Sequence, residues 1–326
     1  MSKAPARSKV KSKSKVKAKS KPATTPKPPS KAKSAIYLTE EDVRRLVTVK
    51  DAVATLEELF ATWAKLAAEP FKGITTNGQV QTGLFSIRST GVSTDPVKRA
   101  AEAFLASLTA PQRQKTTFAV DDVEWRKWMN QSFYVRAGVS FLEMNEAQRE
   151  SAFGLIRAAL SAKGLKQTRD IMHLNETLGE LNDNNFDEYG EGQYFITVMG
   201  QPSAREPWGW QLDGHHAVIN YFVLGDQVVM SPFFSGSEPV IARTGKYKGT
   251  SVLQEEQSSG LAMINALDEA QRKQAILKFA KTGNENLTEA WRDNIVLDYA
   301  GVKATALSQS QREQLLRLVA LYVGNM

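Results

Sequence analysis

The chain has 326 residues, three histidines and no cysteine. The missing cysteine excludes disulfides, thiolate nucleophiles and Cys-ligated zinc or iron–sulfur centres, and it fits a reducing, cytoplasmic setting. The formal charge of +7 is uneven: residues 1–34 hold twelve Lys/Arg and no Asp/Glu, leaving 30 basic and 35 acidic residues, a net of −5, in the rest.

Residues 1–34 alternate Lys with Ser, Ala and Pro, a composition too poor in apolar groups to offset chain ordering, so a disordered tail is expected. Its lysines suit weak, salt-sensitive contact with nucleic acid or an anionic surface, although no aromatic residue is interleaved to stack on bases. Residues 35–326 show no convincing linker and read as one domain. No apolar run is long enough to span a bilayer, and there is no secretory h-region.

A helix is expected from a cap at Thr39 through Leu66, ended by Pro70. A second runs from Thr94-Asp-Pro96 to Leu108, with proline in the first turn, where its missing N–H is harmless. A six-residue pattern then occurs four times, beginning at Leu108, Met144, Leu267 and Leu307. Each copy has an apolar residue, a capping residue (Thr109, Asn145, Asp268, Ser308), then Gln three positions on and Arg next. That is an apolar residue ahead of a capping box, so each copy marks a helix start. Irregular spacing argues against a solenoid.

Phe118–Trp128 and Phe133–Phe141 have the aromatic and β-branched content of strands. Helices follow over Asn145–Ser161 and Leu165–Leu181. Strands are expected at Gln193–Met199, Gly209–Leu224 and Gln227–Met230, with Gly225-Asp226 as a hairpin turn. Ser231–Pro239 reads as a rigid loop and Gly245–Gly249 as a turn. Helices resume at Ser251–Leu267, Glu269–Lys281, Thr288–Asp298 and Ser310–Val323. Glu255-Glu256 suits a helix start, where the dipole favours acidic groups. Helices before and after a central, mainly antiparallel sheet make the fold class α+β.

Chemistry is concentrated in Trp208–Asn220, which contains His215 and His216. With so few histidines, these two and His173 are the candidates for metal binding or proton transfer near neutral pH. A three-histidine centre for zinc, iron or copper requires His173, on its helix, to pack against the His-His strand. Asp213 or Glu176 would orient an imidazole. On a regular strand adjacent side chains face opposite ways, so a bulge at Gly214 is needed to bring His215 and His216 together. Without metal, one histidine can serve as general base while Arg136 stabilises an anionic substrate. Asn220, Trp210 and Glu238 are candidate substrate contacts. Trp125, Trp128 and Trp208 suit either a pocket wall or the core.

These motifs together resemble the DUF3500 family. The resemblance rests on Trp208-Gly-Trp, Gly214-His-His, Asn220, Pro232-Phe-Phe, Pro239, and Gly245 and Gly249 ahead of Glu255-Glu256. Phe104, Gln112-Arg113, Trp128, Arg136, Gly138 and Gln148-Arg149 add to it, over about residues 97–325. The family is named for a domain of unknown function. The resemblance therefore implies a shared fold and a common site around His215, His216 and Asn220, with Arg136 and Glu238 nearby. The leading expectation is an enzyme, metal-dependent or not, acting on a small polar or anionic molecule. A non-catalytic metal- or ligand-binding protein and a tail-driven nucleic-acid-associated protein are the alternatives.

Overall fold

A computed structural model describes residues 61–279 and 292–326, apart from residues 64 and 67. The tail and most of the helix expected from Thr39 lie outside the described residues. Within 61–66 the described positions are helical. The architecture is α+β, with helices on either side, in sequence, of a mixed seven-stranded sheet.

Three long antiparallel strands form the sheet's centre: β3 (Tyr194–Met199), β4 (Trp208–Gly214) and β5 (Ala217–Leu224). Nearly every residue along them is buried, so their composition is mainly apolar on both faces, interrupted by the buried polar Thr197, Gln211, Asp213 and Asn220. Short strands extend both edges. β1 (Thr117–Phe118) pairs parallel to β3, and β2 (Val139–Ser140) pairs antiparallel to it. On the other side β6 (Gln227–Val229) and β7 (Phe233–Ser235) both pair antiparallel to β5. The Gly225-Asp226 hairpin is present as expected, with Leu224 opposite Gln227.

Two sequence expectations fail between β1 and β2. Phe118–Trp128 and Phe133–Phe141 form only the two-residue strands β1 and β2, separated by a 3-10 turn at Val123–Arg126 and a long loop. Arg136 explains the loop. Its guanidinium donates to the carbonyls of Met129, Gln131, Ser132 and Tyr134. The carbonyls of Gln131 and Ser132 converge on one guanidinium only if the backbone curls, because an extended strand points successive carbonyls in opposite directions.

Where the sequence shows a capping box the helix begins at it. The helix expected from Leu165 starts instead at Ala162, the one expected from Ser251 starts at Gln254, and the one expected over Glu269–Lys281 ends at Ala275. α1 (Asp95–Ser107), α2 (Ala110–Thr116), α3 (Glu146–Ala159) and α4 (Ala162–Leu181) precede the sheet's centre, with a single turn α5 (Phe186–Tyr189) leading into it. α6 (Gln254–Ala266), α7 (Glu269–Ala275) and α8 (Gln309–Val323) follow. Glu255 and Glu256 lie in the first turn of α6, as their charge requires. All four repeated patterns are complete capping boxes, at Thr109, Asn145, Asp268 and Ser308.

The boxes also pair. Gln112 and Gln148 exchange amide hydrogen bonds, as do Gln271 and Gln311. Each glutamine also donates to the backbone beside its partner's cap, at Glu143, Ser107, Ala306 and Ala266. One helix–short helix–helix arrangement thus occurs twice, as α1-α2-α3 and α6-α7-α8. The first copy contributes Ala101, Phe104, Leu155 and Ile156 to the main core, whereas the second has a small core of its own around Met263, Leu267 and Leu307.

The helix expected over Thr288–Asp298 is not formed in its described part, residues 292–298. Side chains there are used otherwise. Asp293 pairs with Arg126 at 2.6 Å, and Asn294 Oδ1 accepts from the backbone of Lys72 and Gly73. Among the described residues no helix is long and apolar enough to cross a membrane.

Candidate metal centre

His215 and His216 are the two loop residues of the β4–β5 hairpin, closed by Gly214 opposite Ala217. The expected single strand over Gly209–Leu224 is therefore two strands, and a turn rather than a bulge resolves the problem of opposite faces. Its geometry is unusual. The favoured two-residue hairpin turns need positive φ at the first loop residue, yet only His216, the second, has it (φ 61°). A non-glycine side chain in the left-handed region costs about 1–3 kcal/mol. Hydrogen bonds hold the turn there: His216 N–H donates to Asn130 O at 2.9 Å, and Gly236 N–H donates to His216 O at 2.8 Å. Tyr194 Oη–H donates to His215 O at 2.8 Å. Gly214 is required beneath it, because a Cβ there would sit 2.1 Å from the Tyr194 ring.

The two imidazoles stack with centroids 3.9 Å apart. Each is anchored through Nδ1, His215 to Asn175 Oδ1 at 2.7 Å and His216 to Asn130 Oδ1 at 3.2 Å. The amide orientations assign the protons. Asn175 Nδ2 donates to Gly190 O at 3.0 Å and Asn130 Nδ2 to Gln131 Oε1 at 3.3 Å, which leaves each Oδ1 as the acceptor. At neutral His215, Nδ1 is then the protonated nitrogen and Nε2 carries the lone pair, while His216 presents Nε2 toward Glu238. Burial, the neighbouring His216 and Arg136 all disfavour an imidazolium at His215, lowering its pKa to about 3. Glu238 completes the group: its Oε2 is 3.7 Å from His216 Nε2, and one ligand atom from each of His215, His216 and Glu238 falls within 4.8 Å of the others.

Behind the turn, Arg136 and Asp213 form a buried pair, Nε to Oδ1 at 3.3 Å, and Met129 N–H donates to the same Asp213 oxygen at 3.2 Å. Burial raises Asp213 to about 6 against the opposing pull of Arg136 and Met129. The pair holds loop 129–136 over β4 and so positions Asn130. Asp213 does not orient an imidazole, and the guanidinium of Arg136 is committed to carbonyls rather than open to a substrate anion.

The remaining candidates separate. Trp210 is fully enclosed and stacks on Tyr221 at 5.6 Å, which makes it core; Trp208 is equally buried. Asn220 is 3% exposed, accepting from Gln211 and donating to Pro232 O, at the wall of a cavity of about 750 Å³ that Trp125 and Trp128 also line. His173 does not join the other two histidines. It stacks on Tyr247 with centroids 4.0 Å apart and lines a different cavity. Helix α4 does reach the hairpin, but through Asn175. Two residues turn a helix by about 200°, so these side chains leave on nearly opposite faces. Among the described residues the potential metal-ligating group contains neither His173 nor Glu176.

Sequence reading missed Asn130, Asn175 and the cluster beside His215. Tyr189 lies 5.8 Å from the His215 ring, with Glu188 and Ser132 close to its hydroxyl. Ser132 Oγ–H in turn donates to Glu188 Oε1 at 2.8 Å. Burial and Glu188 both raise the Tyr189 pKa, so its hydroxyl keeps its proton. Only the spacing of α4 pointed toward Asn175; nothing local marked Asn130 or Tyr189.

Comparison with known proteins places this geometry in a family without placing it in a pathway. No curated protein and no solved structure matches the chain. A family described as "Protein of unknown function (DUF3500)" matches residues 90–326, which include the whole His215–His216–Glu238 group and both asparagines behind it. The chain belongs to the DUF3500 family.

Proposed function

We propose that this protein is a metal-dependent enzyme acting on a small polar or anionic substrate. In this reading a divalent metal is held by His215 Nε2, His216 Nε2 and the Glu238 carboxylate. One observation carries it: both rings face asparagine oxygens through Nδ1, and one ligand atom from each of His215, His216 and the Glu238 carboxylate lies within 4.8 Å of the others. Two imidazoles and one carboxylate are a donor set for zinc or iron, and also for copper. Three protein ligands leave coordination positions for water and substrate. Asn130 and Asn175 fill the outer role that fixes ring and tautomer. A low pKa at His215 keeps that ligand neutral, as coordination requires.

Such a metal, when bound, supplies Lewis acidity and an activated water. The chain's own contribution is orientation and proton handling. Tyr189, whose ring lies 5.8 Å from that of His215, is our candidate hydroxyl to donate to or accept from a bound molecule. Elemental analysis of untagged protein tests the reading. The expected result is near-stoichiometric zinc, iron or copper, lost in His215→Gln and His216→Gln. Metal-free protein whose melting curve is unchanged by all three ions would overturn it. A substrate screen on metal-loaded protein then separates an enzyme from a non-catalytic metal binder.

A second, independent role rests on the twelve Lys/Arg of residues 1–34. Weak binding to nucleic acid or anionic surfaces is expected to fall steeply with salt and to vanish when those residues are removed.

A further inference from the structure

His173, left out of the metal centre, lines a cavity of about 220 Å³ with Phe141, Phe153, Arg149, Arg169 and Tyr247. From this cavity we propose a second ligand site, for a small organic carboxylate with a planar apolar body, separate from the metal centre.

Charge is the first argument. Among the described residues no carboxylate forms an ion pair with Arg149 or Arg169. Arg149 uses Nε on the carbonyl of Phe141 at 2.8 Å, which orients its guanidinium without neutralising it. Arg169 is half-buried and lies 4.2 Å over the Phe153 ring. A carboxylate does line the cavity, that of Glu191, but it is engaged by Lys246 at 2.9 Å and by the Tyr247 hydroxyl. Asp170, near His173, is likewise paired with Lys166. The local surplus is therefore two guanidinium groups, whose planar forks match a carboxylate.

Shape is the second argument. Phe141 and Phe153 pack at 4.9 Å, and the stacked His173–Tyr247 pair presents two further ring systems. A flat apolar body of modest size would lie against these rings, whereas a compact inorganic anion leaves them unused. The Gly245 turn that carries Tyr247 is fitted closely to α4. Gly245 has φ 77°, and a Cβ there would lie 1.6 Å from Glu180 Oε2, while Lys246 N–H donates to Glu180 Oε1 at 3.0 Å. The part of the wall that carries Tyr247 is thus fastened in place before any ligand arrives, which lowers the ordering cost of binding.

The test is calorimetric titration of the full-length protein as purified, with benzoate, benzyl alcohol and inorganic phosphate in turn. Saturable one-to-one binding of benzoate is expected, with the alcohol and phosphate each at least tenfold weaker. Arg169→Gln and the exposed Arg149→Gln should each weaken benzoate at least tenfold, while His215→Gln leaves it unchanged. Absence of saturable benzoate binding overturns the proposal, as does benzoate binding undiminished in Arg149→Gln. Phosphate binding as tight as benzoate overturns the planar-body assignment. Loss of benzoate binding in His215→Gln would move the site to the metal centre. If Arg169→Gln does not fold, Arg169→Lys serves, with an expected loss of several-fold because the charge stays and the fork goes.

Discussion

Asn175 on α4 and His215 in the β4–β5 turn meet at 2.7 Å, Oδ1 to Nδ1, and this contact selects the imidazole nitrogen left for chemistry. The Asn175 amide cannot flip without losing its bond to Gly190 O, so helix, loop and hairpin together fix one tautomer.

Asn175→Asp should therefore preserve the metal centre where Asn175→Ala does not. A carboxylate still accepts from Nδ1–H, whereas alanine leaves the ring free to rotate; both variants leave Gly190 O without its donor, so the difference between them isolates the Nδ1 contact. Metal affinity is expected to fall 10–100-fold in the alanine variant, read by competition titration with a chromophoric chelator. Equal affinity in the two variants would remove Asn175 from the site.

Glu238 gives the complementary case. Its side chain is 71% exposed, so Glu238→Gln should leave the urea midpoint almost unchanged, within about 0.5 kcal/mol. Metal affinity should drop by an order of magnitude or more. A variant that loses stability but retains metal would show that Glu238 serves the fold instead.

Much of this was legible in the sequence where the determinants are local. The four capping boxes needed only an apolar residue, a cap and a glutamine, and all four formed. Their mutual pairing was not legible, because each glutamine's second partner lies 36 or 40 residues away. The helix carrying His173 was placed correctly but its facing was not: two positions on, Asn175 takes the contact. The hairpin at His215-His216 was hidden because neither residue is a turn former and the flanks read as one apolar run. Phe133–Phe141 resembled a strand through aromatics such as Phe133 and Tyr134, which pack against the cluster around Met129, while the backbone at its start is organised by one buried arginine.

The paired glutamines permit a direct energetic test. In a double-mutant cycle, Gln112→Ala with Gln148→Ala should show coupling of about 0.5–3 kcal/mol in urea unfolding, and so should Gln271→Ala with Gln311→Ala. Additive losses in either pair would mean that the amides act only on their own helix ends.

The pH dependence of stability contains two opposed contributions. His215 is lowered from 6.5 to about 3 by burial first, then by His216 and Arg136. In that window the unfolded chain binds the extra proton, so this stability is complete above pH 6.5 and is lost as pH falls toward 3. Asp213 is raised from 3.8 to about 6, mainly by burial. The folded chain now holds the extra proton, so stability from this group declines as pH rises from 3.8 to 6. Between those limits the slopes, each at most about 1.4 kcal/mol per pH unit, largely cancel. Removing the titrating imidazole in His215→Gln should uncover a decline from pH 4 to 6 that the parent lacks, measured by urea unfolding at each pH. Parallel curves for parent and variant would refute the His215 assignment.

His216 offers the sharpest separation of fold from function. Its left-handed backbone costs about 1–3 kcal/mol in a side-chain-bearing residue, and glycine removes that cost. Against this gain, His216→Gly loses the ring stacking and the Asn130 contact, and glycine loses about 0.5–1 kcal/mol more chain entropy on folding. These effects are comparable, so stability should change by no more than about 1 kcal/mol while the metal site disappears. His216→Val removes the same ring but forces a β-branched residue into the left-handed region, where it is a genuine steric outlier. The valine variant should therefore be clearly less stable than the glycine variant, although both lack the imidazole. Urea unfolding of the two decides it: a glycine variant as unstable as the valine one would mean that the ring, and not the backbone it distorts, is what the fold depends on at this turn.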